Sequence, residues 1–172
     1  KEKSIKYFLV NFVDLNGYQR SKLIPVEAIA DMEKNGAGFA GFATYFEIKP
    51  SSPDIFCIPE PESVIQLPWN ADVAWVPGDL IFEEKVLEHA PRAVLKKLIN
   101  IAEKKGYKML CGVEPEFMLI SSENFEISDK HDISQKPCYD QQALMRRYEF
   151  ISEICGYLKI LGWGNYQVDH ED

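Results

Sequence analysis

The run Ile5-Lys6-Tyr7-Phe8-Leu9-Val10-Asn11-Phe12-Val13 is dense in aromatic and β-branched side chains, and Asp14-Leu15-Asn16-Gly17 closes it with turn chemistry. Residues 18–24 then return as a second run. Together they predict a β-hairpin, which commits the start of the chain to a sheet. Pro25 suits the first turn of a helix, and residues 26–34 carry apolar side chains at helical spacing before Asn35-Gly36 stops them. Three more short strands, at 54–58, 63–67 and 71–76, are punctuated by prolines. The first half is therefore expected to be mostly sheet with one helix packed on it.

Between the helix and these strands lies Gly36-Ala37-Gly38-Phe39-Ala40-Gly41. A phosphate cradle needs a strand before its glycines and a helix after them. Here a helix comes first and Pro50-Ser51-Ser52-Pro53 follows, so the stretch is expected to be a flexible loop. The pattern loosens over 77–89, and Pro91 opens a helix that Gly106 ends. Val94, Leu95, Leu98, Ile99, Ile101 and Ala102 make its apolar face; Arg92, Lys96, Lys97, Glu103 and Lys104 take the wet one.

The stretch Gly112-Val113-Glu114-Pro115-Glu116-Phe117-Met118-Leu119-Ile120 reads as a strand. Side chains alternate along a strand, so Glu114 and Glu116 share a face with Cα atoms roughly 7 Å apart, while Val113, Phe117 and Leu119 are expected to bury themselves. Two adjacent carboxylates call for a cation between them or a raised pKa, unless both merely face water on an edge strand. Spacing alone leaves both readings open.

Residues 121–137 are polar and predict a loop, with His131 solvated. Asp140 is placed to cap a helix reaching about residue 161, its buried side formed by Leu144, Tyr148, Ile151, Ile154, Cys155 and Leu158, with Arg146 and Arg147 in solvent. Residues 166–172 form another candidate strand, holding Asp169, His170, Glu171 and Asp172.

A formal charge of −8 without a basic stripe argues against nucleic-acid or anionic-membrane partners. No stretch approaches the eighteen or so apolar residues that a membrane helix needs, and no leader-like segment follows Lys1-Glu2-Lys3. A cytoplasmic location is expected. Cys57, Cys111, Cys138 and Cys155 are irregularly spaced, so they are expected to be reduced thiols, two or three of them in core positions.

The chain resembles the glutamine synthetase family. The matching strings are Asp14-Leu15-Asn16-Gly17, Pro53-Asp54 leading to Ile58-Pro59-Glu60, Pro91-Arg92-Ala93-Val94-Leu95-Lys96, Gly112-Val113-Glu114-Pro115-Glu116-Phe117 and the closing His170-Glu171, all in family order. The resemblance implies an α+β fold: a β-grasp domain at 1–89, then at 90–172 the first helix-strand-helix-strand part of a catalytic domain built on a curved antiparallel sheet. It implies Glu116 and Glu171 as ligands of the Mg²⁺ or Mn²⁺ ion serving glutamate, and Glu114 as a ligand of the ion that orients the phosphates of ATP. The reaction implied joins glutamate to ammonia or a small amine through γ-glutamyl phosphate, in a homo-oligomer shaped as a double hexameric ring.

The family normally continues past its His-Glu element into Gly-Gln-x-Glu, a metal-binding histidine and an ATP-contacting arginine region. The resemblance therefore implies that this chain is an N-terminal fragment, inactive alone, with no catalytic or ATP-binding residue assigned within it. Well-known members carry Phe-Asp-Gly-Ser-Ser where this chain has Phe39-Ala40-Gly41-Phe42-Ala43. Ala40 lacks the carboxylate that captures ammonium, so a γ-glutamylmethylamide-type ligase using an alkylamine is the alternative, and a non-catalytic scaffold is a further one. Tyr166 also stands where common members carry an acid near ATP.

Overall fold

The computed structural model describes residues 5–171. The chain divides into two compact units, Lys1–Leu110 and Cys111–Asp172. In the first, β1 (Tyr7–Val13) and β2 (Gln19–Pro25) form the expected hairpin, in register from Tyr7↔Pro25 to Val13↔Gln19. A short 3-10 turn leads into α1 (Ile29–Asn35), which ends at Gly36 with φ 79°, a conformation open mainly to glycine. Then follow β3 (Ala37–Phe39), β4 (Ile55–Pro59), β5 (Ile65–Gln66), β6 (Val73–Phe82), β7 (Lys85–Val86) and α2 (Pro91–Lys104). The strand order is β2-β1-β6-β4-β3, with β5 and β7 also paired to β6; β1 and β6 run parallel, and all other pairs are antiparallel.

β6 is the hub, and it runs through the stretch expected to be irregular. Residues 73–77 pair with β1, and residues 78–81 pair with β4. Pro77 sits where the partner changes, so its missing N–H disrupts neither ladder, and its carbonyl accepts from the Glu60 N–H at 2.9 Å. A Cβ on Gly78 would stand 2.5 Å from both Cys57 Sγ and Ile58 O, so only glycine lets β4 approach there. The glycine-rich stretch is likewise ordered: β3 pairs with β4, burying Ala37 and Phe39.

Val10, Phe12, Ala37, Phe39, Phe46, Ile55, Cys57, Val76 and Leu80 form the core, with Phe12 edge-on to Phe39 at 4.9 Å between centroids. Two polar side chains lie inside it. Asn11 donates to Val76 O (2.9 Å) and Leu9 O (3.1 Å) and accepts from Gln19 Nε2 (3.0 Å). Asp14 accepts from Asn16 N, Tyr18 N and Arg20 Nε. Both satisfy the requirement that buried polar groups be paired.

The start of α2 rests on this unit through Ala90 and Ala93. Arg92 and Lys96, expected in solvent, are ion-paired with Glu60 and Asp79 instead, because the polar face of α2 meets these two carboxylates, one just past β4 and one on β6. The apolar face is the open one: Leu95 and Leu98 are each 57% exposed.

In the second unit the expected long helix is two, α3 (Gln141–Arg146) and α4 (Tyr148–Leu161), separated at Arg147, whose φ of −111° and ψ of 13° leave the helical basin. Asp140 caps α3 as expected, accepting from Gln142 N at 2.7 Å and Ala143 N at 3.0 Å. Ile151, Ile154, Cys155 and Leu158 form the half-buried side of α4, while Tyr148 is exposed. Residues 111–119 and 162–171 lie outside any strand, and the one bridge nearby pairs Ile120 with Ile127. The two strands expected here are therefore absent among the described residues: an extended segment counts as a strand only when a neighbour completes its ladder. Val113 (86%) and Phe117 (57%) stay exposed for the same reason, although Phe117 makes an edge contact with Phe150. Asp172 lies outside the described residues.

Cys57 alone among the cysteines is buried; Cys111 and Cys138 are exposed and Cys155 is intermediate, fewer in the core than expected because the second unit encloses so little. Among the described residues no helix is long and apolar enough to cross a membrane.

Candidate functional site

The acids singled out in the sequence all fall in the second unit. Glu114 and Glu116 lie on the exposed segment before the Ile120–Ile127 bridge, and Glu171 lies on the segment that follows α4. Tyr139 links two of them. Its phenol pKa is raised by the negative charge of Glu171 first, then by Asp169 and Cys138, with a further contribution from Glu114.

Tyr139 itself has φ 66°, unusual for a residue with a side chain, and its N–H donates to His170 O at 2.7 Å. That bond ties the turn before α3 to the segment carrying Glu171. The His170 ring reinforces it from both nitrogens: Nδ1 lies 2.8 Å from Pro137 O and Nε2 lies 2.8 Å from Asp132 Oδ2. A carbonyl and a carboxylate only accept, so both ring nitrogens donate in this arrangement. The Pro137 carbonyl and, after the opposing effect of burial, Asp132 hold the imidazole pKa above its usual value.

The loop that provides Asp132 is itself fastened. Arg146 Nε donates to Asp129 Oδ2 at 2.7 Å, and Arg147 donates to Ser128 Oγ at 2.9 Å. Both arginines were expected in solvent, yet they fasten the loop to the end of α3, because the Asp129 carboxylate and the Ser128 hydroxyl offer them closer partners than water does. Arg146 lowers the Asp129 pKa. His131, as expected, remains exposed. Asp132 and Tyr139 escaped the sequence reading, since a contact across 38 residues leaves no periodic signal. The only hint was the clustering of acids in the loop.

Carboxylate oxygens are the hard donors that Mg²⁺ and Mn²⁺ prefer, so the donor chemistry of Glu114, Glu116 and Glu171 fits such an ion. The set is not closed: among the described residues no three His, Cys, Asp or Glu side chains gather as a metal-holding group.

The fold is a sheet-dominated α+β one in which β1 and β6 run parallel, and known proteins share it. Residues 88–171 match the family model described as glutamine synthetase, catalytic domain. Along its whole length the chain is similar to members of the glutamine synthetase family. It is 57% identical over 172 residues to a glutamine synthetase of Rhizobium leguminosarum bv. phaseoli, an alignment covering 100% of this chain and 40% of that relative. A glutamate–methylamine ligase of Methyloversatilis universalis is 33% identical over 176 residues, again 100% of this chain and 40% of the relative. The solved structure titled GmaS/ADP complex, conformation 1, superimposes with a TM-score of 0.91 at 51% identity, covering 99% of this chain and 40% of that one. The chain thus spans about two fifths of the length of the relatives it matches.

Proposed function

We propose that this chain serves an ATP-dependent carbon–nitrogen ligase that joins glutamate to ammonia or a small amine through γ-glutamyl phosphate. The observation that carries this reading is the end-to-end similarity to glutamine synthetases, 57% identical over all 172 residues. The likeness to a structure solved with ADP supports an adenine nucleotide as co-substrate. Glu114, Glu116 and Glu171 are read as part of a Mg²⁺ or Mn²⁺ site whose other donors come from outside this chain, in a ring-shaped homo-oligomer working in the cytoplasm. A cation held there would neutralise the repulsion between the glutamate carboxylate and the terminal phosphate of ATP. The exposed positions of the three acids suit donors that await further ligands.

A second reading, an alkylamine as nitrogen donor, is favoured by Ala40 and by the glutamate–methylamine ligase among the relatives. Without a carboxylate at that position the pocket has less to hold a small cation and more room for a methyl group.

Steady-state kinetics of the complete enzyme test both readings. Release of ADP is expected only with glutamate and an amine together, with kcat/KM for methylamine at least about tenfold above that for ammonium. Glu116→Gln is expected to lower kcat/KM by about 100-fold or more. A preference for ammonium would remove the alkylamine reading, and no amine-dependent turnover at all would leave only a scaffold. This chain alone is expected to show no turnover.

A further inference from the structure

We propose that Asp132 and His170 act as a positioning pair, a latch that seats residues 169–171 on the 137–139 turn and thereby sets where the Glu171 carboxylate stands. Three hydrogen bonds converge on His170: its ring bonds Pro137 O and Asp132 Oδ2, both at 2.8 Å, and its carbonyl receives the Tyr139 N–H at 2.7 Å. A residue held through both ring nitrogens and its own carbonyl has little freedom, and Glu171 is its immediate neighbour. The two side chains are 20% and 19% exposed, so solvent screens their charge-assisted bond far less than that of a surface pair.

Asp132 is itself fixed. Its N–H donates to Asp129 O at 3.0 Å, and Asp129 is bound by Arg146 from α3. A continuous series of contacts therefore runs from α3 through Arg146, Asp129 and Asp132 to His170, and delivers the rigidity of a capped helix to a segment that has no strand partner. Without the pair, Glu171 would sit on a segment held to the turn by a single backbone bond. The latch rests on the proposed ligase only in its consequence, that Glu171 is held ready as a metal ligand.

Amide hydrogen exchange by NMR on this chain tests the latch independently of any ligase activity. Asp132→Ala is expected to speed exchange of the Tyr139 amide by about tenfold, the effect of losing one good hydrogen bond, with the α4 amides unchanged. An unchanged Tyr139 amide would overturn the proposal. If α4 also loosens, the double-mutant cycle with His170→Ala decides: a pair acting as one unit leaves the double variant no faster than His170→Ala, which loses the Pro137 bond as well, and additive effects overturn it. Trace Mn²⁺, used as a paramagnetic probe, tests the consequence. Broadening is expected at the Glu114 and Glu171 amides, and in Asp132→Ala it should persist at Glu114 and fade at Glu171. Equal broadening at Glu171 in both proteins would overturn the positioning role. No broadening in either would count against the metal reading alone, leaving the exchange rates to judge the latch.

Discussion

Asp14 closes the first hairpin, and its side chain is fully enclosed. Burial alone would push its pKa up, but the Arg20 guanidinium at 2.7 Å and the backbone N–H groups of Tyr18 and Asn16 outweigh that and hold it below the usual carboxylate value. Such a carboxylate is costly to lose because its removal strands an arginine and two amides. Asp14→Ala is expected to destabilise the first unit by about 2–3 kcal/mol, read as a lower urea midpoint; a shift near zero would show that water replaces the lost bonds at no cost. Asp14 was legible in the sequence as a turn residue. Its burial was not, since that depends on Arg20 folding back across the hairpin with Tyr18 and Tyr45 stacked beneath it.

Among the elements, α2 differs most from its sequence pattern. Its helical extent and its end at Gly106 follow from local signals, and Pro91 stands at its first position. Its orientation does not follow from them, because Glu60 and Asp79 hold Arg92 and Lys96 and so turn the polar face towards β4 and β6. Glu60 shows the coupling most clearly: its pKa is pulled down to about 2, by Ser63 first and by Lys96 and Arg92 with it. The folded value lies below the unfolded one of 4.5, so the contribution to stability is fully present above that value and lost as the pH falls towards 2. Thermal melts of the wild type and Glu60→Gln should therefore differ at pH 7 and converge between about pH 4.5 and 2. The side chain is about a third exposed, which limits the difference to about 1 kcal/mol. A gap that stays constant across that window would rule out the ionised pair as its source.

For the whole molecule, the contrast between the two units dominates. Nearly every buried side chain belongs to the first, whereas in the second only Ala143 is buried among the described residues. Apolar burial is the main stabilising term of a fold, so the second unit should open at a lower free energy than the first. Amides in α4 are expected to exchange at least about 100-fold faster than those of β1 and β6, measured by hydrogen exchange with mass spectrometry. Equal protection would show that the two units unfold as one.

The sequence by itself determined the hairpin, the helix from Pro91 with its end at Gly106, the Asp140 cap and the short proline-bounded strands, because each depends on contacts a few residues apart. Only the tertiary structure decided that β6 continues through Pro77-Gly78, that Arg92 and Lys96 face carboxylates, that residues 112–119 lack a ladder, and that Asp132 holds His170 beside Glu171. Each of these depends on a partner supplied from a distant part of the chain. Periodicity and turn chemistry describe what a segment can do alone, and the choice among those options is made by the groups that folding brings against it.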